Sequence, residues 1–343
     1  MSGLDGDITD FNWSQDGMWV ASSTSGVIRL DTGDSVANTY TRRNGMLSDA
    51  VNDIMTDREG NRWFAQSGGA SKLRANFDAF QNFTAESQVG ETPLLPAAQV
   101  TSVIPARAGD RTGCTVWVGT FGGLACITDS GTSKVYLDEN GLRHSQINAI
   151  TRDAVGRLWI GTYEGINGVR MPGTPRLPRP PERSRLSLGG IALEVGGYRR
   201  TTILSAKTIE MPFDETLRRG VETVWLPGYR SIYLLLDDQW FTFRATSGLP
   251  ATYYHTVAFD DNGRLWVGTR DDGLYRSREP LTVERVLQME SRSMPVSLGP
   301  RGRVFGVEIL EDVFEPIWRD APVAQIESIV NDAGEMWVGT PQG

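Results

Sequence analysis

The phrase "LWIGTYEGI" at Leu158–Ile166 returns as "LWVGTRDDGL" at Leu265–Leu274. Self-similarity at a period of a few tens of residues constrains architecture more tightly than any local propensity, because each unit must bury its apolar face against the next. Aligned on the tryptophan, the phrase occurs at Trp19, Trp63, Trp117, Trp159, Trp266 and Trp337. Two weaker copies put Tyr233 ("RSIYLLLDDQW") and Phe305 ("GRVFGVEILEDV") in the anchor place. A second register precedes the first. The segments "GMLSDAVNDIMTD", "GLRHSQINAITRD" and "GLPATYYHTVAFD" superimpose without a gap from Gly45, Gly141 and Gly248, each ending on the aspartate of an Asp-x-x-Gly turn.

Each unit then reads as an apolar strand, an Asp/Gly turn, the tryptophan strand, a glycine turn, a third strand and often a fourth. Short runs rich in Val, Ile and aromatic residues, bounded by Gly, Asp and Asn, are strands. Four antiparallel strands in about 40 residues make one blade of a β-propeller. The chain is therefore expected to be all-β, a single propeller domain over 1–343 with seven blades, or eight. An irregular Pro/Arg-rich stretch at about 171–219 is expected as a degenerate blade or an outer elaboration of its neighbour. The last copy, 322–343, stops at its glycine turn, so the natural protein is expected to continue past Gly343 or to end on a truncated blade.

The pattern "V..i..D..G" followed by "G.lWvGT..GL" resembles the two-component regulator propeller repeat, which occurs in bacterial ligand-sensing domains placed ahead of signalling modules. The resemblance runs from about Ile8 to Gly343 and is best around Trp159 and Trp266. It implies a sensor that binds a small polar ligand, with carbohydrate fragments the class it suggests, and works with a signalling partner or downstream module. It also implies a periplasmic or extracellular setting for the full-length protein.

Composition narrows the alternatives. A net charge of −8, with no Lys/Arg stripe, argues against nucleic acid as partner. No run of 18 apolar residues and no signal-peptide pattern is present, so the sequence as written is expected to be soluble, without direct membrane insertion. Cys114 and Cys126 are expected as buried free thiols, with a disulfide across a hairpin as the alternative and a metal site least favoured. With two histidines and no nucleophile or phosphate-loop motif, no catalytic residue, metal or cofactor is assigned.

The tryptophan, glycine and threonine of each phrase are expected to be packing residues, and the turn aspartates to be turn formers, with calcium a minor alternative. Function is sought instead in the first strand. Its pattern is apolar, polar, any, apolar, and the second position carries Thr9, Asn52, Thr101, Asn148, Glu222, His255 and Glu327. In a propeller the first strand is innermost, so these residues are expected to ring the channel. There they either keep the wall wet or converge on a polar ligand. Turns after Gly-Thr and the loops leading into the first strand share one face, which makes Ser67, Phe121, Tyr163, Arg270 and Asp271, with Asp49, His144, Tyr253 and Tyr254, rim candidates. Two other functions stay open: a propeller lyase or glycan hydrolase using Glu222, Glu327 or His255, and a protein-interaction scaffold.

Overall fold

The computed structural model describes residues 7–14, 16–31, 33, 35–75, 79–85, 94–107, 111–129, 133–136, 141–178, 182–188, 191–197, 202–214, 219–299, 302–318 and 325–342. The first sheet holds β1 (Ile8–Ser14), β2 (Gly17–Ser22), β3 (Gly26–Leu30) and β4 (Val36–Tyr40). The second holds β5 (Val51–Thr56), β6 (Arg62–Gln66), β7 (Gly69–Leu73) and β8 (Phe80–Thr84). The third holds β9 (Val100–Pro105), β10 (Val116–Thr120), β11 (Gly123–Ile127) and β12 (Ser133–Tyr136). All three are antiparallel meanders, the blade of a propeller.

The fourth sheet runs β13 (Ile147–Arg152), β14 (Leu158–Thr162) and β15 (Gly165–Arg170), and its outer edge is extended by β16 (Glu182–Leu188) and β17 (Ile191–Gly197) in the order β15-β17-β16. The fifth begins with β18 (Lys207–Asp214), β19 (Arg219–Gly228), β20 (Ser231–Leu236) and β21 (Gln239–Phe243). The sixth holds β22 (Tyr254–Phe259), β23 (Leu265–Thr269) and β24 (Leu274–Ser277). A short helix α1 (Val283–Gln288) and a hairpin of β25 (Ser291–Gly299) and β26 (Gly302–Ile309) follow, before β27 (Phe314–Trp318) closes that sheet. The hairpin joins the fifth sheet through a parallel β21–β26 pairing. Last come β28 (Ser328–Asp332) and β29 (Glu335–Gly339), a sheet of two strands.

The fold is thus an all-β propeller. Among the described residues it has six blades of four or more strands, and the copy around Trp337 is present as two strands. By contacts the chain forms two compact units, one of Met1–Asn148 with Ser187–Ile191 and Gly339–Gly343, the other of Ala149–Leu186 with Ala192–Val338. In unit 1 the Ile8 amide donates to the Thr340 carbonyl at 3.2 Å.

The repeated phrase has a physical reading in each of its letters. The indole Nε1 donates to the turn aspartate six residues earlier, at 2.8 Å for Trp63–Asp57, 2.9 Å for Trp159–Asp153 and 2.8 Å for Trp266–Asp260. The same carboxylate accepts the amide four residues on, from Asn61, Arg157 and Arg264, each at 2.8 Å. One side chain therefore closes the turn and satisfies a buried indole, which would otherwise lose its hydration uncompensated. Glycine in Gly-Thr makes room for the next blade. A Cβ on Gly161 would come within 2.5 Å of Ile203, and one on Gly268 within 2.6 Å of Ile326. The threonine hydroxyl closes the following turn on the carbonyl of Gly123, Gly165 or Gly273, at 2.8, 2.9 and 2.8 Å from Thr120, Thr162 and Thr269.

Four expectations change. Tyr233 is not an anchor but lies on the third strand, and the anchor of the fifth blade is Trp225, fully buried and stacked on Phe243 at 5.8 Å. Its indole donates to Thr223 Oγ1 at 2.8 Å instead of to a turn aspartate, and "WLPG" replaces Gly-Thr after it. Phe305 belongs to β26, an edge addition to the fifth sheet, because its strand pairs with β25 and β21 instead of starting a blade. The 171–219 stretch is no extra blade: its first part elaborates the outer edge of the fourth sheet and its last part begins the fifth. Cys114 and Cys126 are joined as a disulfide, with Cα atoms 5.4 Å apart, because the hairpin brings Cys114, two residues before β10, against Cys126 of β11. The Gln15 turn copy lies outside the described residues.

Two stability outcomes follow. Asp57→Ala leaves the Trp63 indole and the Asn61 amide without their acceptor, and a loss of about 2–4 kcal/mol is expected. It should appear as a lower urea midpoint at unchanged slope, and an unshifted midpoint would deny the turn carboxylate its role. Reducing the Cys114–Cys126 bridge, which closes a short loop, is expected to cost about 2–3 kcal/mol, seen as a lower melting temperature in dithiothreitol than in its absence.

Candidate functional site

The first-strand positions divide into two classes. In unit 1 the polar side chains are bonded to the wall itself. Thr9 Oγ1 donates to the Val51 carbonyl at 2.6 Å, Asn52 Nδ2 to the Val100 carbonyl at 2.6 Å, and Thr101 Oγ1 to the Ile147 carbonyl at 2.8 Å. Each residue thus staples its inner strand to the next one. The following position repeats the device in reverse, since Asp10 accepts the Ile54 amide at 3.0 Å and Asp53 the Val103 amide at 2.7 Å. Asn148 accepts from Gln146 Nε2 at 3.2 Å, and His144 Nδ1 accepts the Gln146 amide at 2.9 Å. Sequence reasoning did not single out Asp10 and Asp53, although "ITDF" and "VNDI" show them side by side with the staple residue.

In unit 2 the same position does different work. His255 Nδ1 lies 2.9 Å from Glu327 Oε2, both side chains being only partly exposed. Gln325 also donates to Glu327. Burial raises the Glu327 pKa, but the hydrogen bond and charge of His255, the Gln325 bond and the field of Arg270 outweigh it and hold the carboxyl below its ordinary value of 4.5.

Glu222 is not a member of this ring. The Ile203 amide donates to the Thr162 carbonyl at 3.1 Å, as the Ile326 amide donates to Thr269 at 2.8 Å. That equivalence makes "ILSA" at Ile203–Ala206 the lead-in of the fifth blade, with Leu204 in the polar place. Glu222 stands on β19, opposite Glu210 of β18. It borders a cavity of about 680 Å³ with Asp153, Arg157, Asp237 and Asp238. There Arg157 is committed to two carboxylates, Asp153 at 2.6 Å and Asp238 at 2.7 Å. Desolvation would lower the arginine's pKa, but the bonds to Asp238 and Asp153 raise it above its ordinary value.

At the rim, Phe121 in unit 1 and Tyr163 in unit 2 are exposed, at 46% and 54%. Tyr254 is not a rim residue. It is fully buried, its hydroxyl donates to the Pro250 carbonyl, and burial pushes its pKa up. Asp49 accepts the Arg42 amide at 2.7 Å, Asp271 accepts from Thr252 Oγ1 at 3.2 Å, and Ser67 bridges to Gln99. These three act in loop structure. Tyr253 and Arg270 do come together, the guanidinium carbon lying 5.5 Å from the ring centroid. Two residues missed from sequence extend the pair: Tyr229, whose ring centroid is 4.6 Å from that of Tyr253, and Arg230, 5.7 Å from the Tyr229 centroid. They follow Gly228, the turn after the unrecognised Trp225 strand. Locating that anchor would have placed them on the rim.

Two segments, 141–164 and 248–271, match the two-component regulator propeller family. In these two segments the chain carries the two-component regulator propeller repeat. These segments begin at the glycines that open two of the three superimposed stretches. No curated protein matches the sequence. Among solved structures, the chain is similar to the extracellular domain of BT4673 from B. thetaiotaomicron, described as belonging to a hybrid two-component system, at 17% identity and a TM-score of 0.62. All of this chain but 38% of that one is covered, so the chain spans well under half the length of that relative. Virginiamycin B lyase from Staphylococcus aureus is similar at 11% identity and a TM-score of 0.62, covering 100% of this chain and 94% of the lyase. Its catalytically inactive His-to-Ala variant, solved with quinupristin, is similar at 13% identity and a TM-score of 0.61, covering 99% of this chain and 94% of that one. At these identities the likeness is one of fold.

A pH test follows from the Glu327 environment. A carboxyl whose folded pKa lies below its unfolded value adds stability that is present above the unfolded pKa and lost as pH falls through the folded one. Wild type is therefore expected to lose stability on acidification below about pH 4.5 more steeply than Glu327→Gln. Parallel denaturation profiles for the two proteins between pH 6 and pH 3 would contradict the assignment.

Proposed function

We propose that the chain is a non-enzymatic ligand-binding propeller of a bacterial sensory system, taking a small polar ligand, with saccharides as the first class to test. Occupancy is relayed to a signalling partner or a further module. The observation that carries this reading is the contrast between equivalent positions. Thr9, Asn52 and Thr101 bond to wall carbonyls, whereas His255 and Glu327 bond to each other and lie in unit 2 with the Tyr229, Tyr253 and Arg270 rim. Sites for small molecules combine shape with a few placed polar groups, and this is where the described residues supply them. The family repeat and the fold likeness to an extracellular two-component domain support the sensory setting.

A second reading rests on the His255–Glu327 pair. A histidine oriented by a carboxylate is a suitable general base, and a lyase whose His-to-Ala variant is inactive shares the fold. The paired-carboxylate hydrolase is not favoured, since Glu222 borders a cavity that Glu327 does not line. A thermal-shift screen of sugars, glycan fragments, amino acids and divalent ions separates the readings. A stabilising ligand recovered unchanged, and lost with His255→Ala, is expected. Conversion of that ligand, abolished in the same variant, would replace the sensor with an enzyme. No shift with any compound, together with stable capture of a protein, would favour a scaffold.

A further inference from the structure

The rim of unit 2 carries a continuous row: Arg230, Tyr229, Tyr253, Arg270. Successive members are 5.7, 4.6 and 5.5 Å apart, measured from guanidinium carbon to ring centroid or between centroids. Backbone hydrogen bonds fix the three segments that carry it. Tyr229 N–H donates to Thr202 O at 2.9 Å, Arg230 N–H to Thr252 O at 2.8 Å, and Arg270 N–H to Tyr253 O at 2.9 Å. Tyr229, Arg230 and Arg270 are exposed and Tyr253 is half-buried. The row is thus rigid at the backbone and open to solvent.

Neither of its arginines is in an ion pair: among the described residues neither Arg230 nor Arg270 has a carboxylate within salt-bridge distance, whereas Arg62, Arg157, Arg276, Arg278, Arg285 and Arg292 all do. The nearest acidic neighbour in sequence, Asp271, holds the Thr252 hydroxyl. In a chain with 42 acidic and 34 basic side chains, two solvent-facing guanidiniums outside any ion pair, Arg270 sharing only the longer-range field of Glu327, stand out from the paired arginines. A cation–π contact with tyrosine holds each guanidinium carbon over a ring without using a carboxylate, so its N–H donors can serve an oxyanion. Where a cation or the other ring covers a tyrosine, that ring surface is closed to a sugar face. The chemistry on offer is therefore anion recognition beside a phenol hydroxyl, with Tyr163 the aromatic left exposed on the neighbouring turn.

We propose that this row is an oxyanion-binding site, and that the ligand of unit 2 is acidic: a saccharide bearing carboxylate or sulfate groups, held by Arg230 and Arg270. The proposal rests on the ligand-binding reading given above and narrows it. The carboxylate could equally belong to a free di-acid, and the test separates the sources.

The full chain is titrated calorimetrically with a galacturonate trisaccharide, its methyl ester, a sulfated disaccharide, a neutral trisaccharide, succinate and sodium sulfate. Binding of an acidic sugar is expected, at least tenfold weaker for the neutral or esterified compounds. Arg230→Gln and Arg270→Gln should each weaken it about tenfold or more, as for loss of a charge-assisted hydrogen bond, with Arg270→Lys intermediate. Equal melting temperatures of variants and wild type control for folding. Succinate binding as tightly as the sugar, with the same arginine dependence, would keep the oxyanion site and remove the saccharide. A neutral sugar binding as well as the acidic one, indifferent to both arginine variants, overturns the proposal and leaves the ligand-binding reading standing. No binding of any compound at millimolar concentration overturns both.

Discussion

The interaction on which the second, fourth and sixth blades depend is the hydrogen bond from the indole of the second strand to the aspartate six residues before it. A tryptophan is the largest ring available to fill the gap between blades, but its Nε1 cannot be buried without an acceptor. Asp57, Asp153 and Asp260 supply one while closing the turn that delivers the strand. Turn geometry and core packing are then satisfied by the same carboxylate, so neither forms well without the other. Cations add a second layer: Lys72, Arg157 and Arg276 lie over the rings of Trp63, Trp159 and Trp266 at 5.1, 5.7 and 5.5 Å. The repeated phrase "LWIGT" is structural in each of its letters, and that is why it recurs.

What the sequence made legible was whatever this device imposes. Fold class, the strand order of the first four blades and the structural role of Trp159, Gly161 and Thr162 could be read because those residues are tied to one another at fixed spacing. Reading failed in the fifth blade, where the device is altered. Trp225 takes its acceptor from Thr223 two residues earlier instead of from a turn aspartate, and Pro227-Gly228 stands for Gly-Thr. With that anchor unseen, the register slipped by one strand, so Tyr233 was promoted to anchor and Glu222 to the inner ring. The slip also hid Tyr229 and Arg230. Phe305 misled for a different reason: an apolar edge strand added to a sheet has the same composition as a blade strand, and only its partner tells them apart.

The candidate site was legible in part, through position and not through motif. An apolar-polar-any-apolar strand marks a polar place on the inner strand but does not say what the polar atom bonds to. Thr9, Asn52 and Thr101 are short side chains beside a neighbouring strand with a free carbonyl, and each reaches it. Histidine and glutamate carry their polar atoms further out, beyond the carbonyl of the next strand, and His255 meets Glu327 instead. Side-chain length alone does not sort the position, since Asn148, as short as Asn52, accepts from Gln146. Burial, which a sequence does not reveal, separated Tyr254 from Tyr253, adjacent residues pointing to opposite faces of a strand.

The pair and the rim are not electrically independent. Arg270 covers Tyr253 and also helps to hold the Glu327 carboxyl ionised, and Glu327 in turn bonds to His255. A guanidinium shared between an aromatic face and a carboxylate acts on both, and its field falls off slowly where water is partly excluded. An anion placed against Arg270 therefore cancels part of the field that favours ionised Glu327. The Glu327 carboxylate is also the one that joins the inner strand β22, through His255, to the residues leading into β28. Within unit 2 the rim and an inter-blade link therefore meet at one side chain, Arg270.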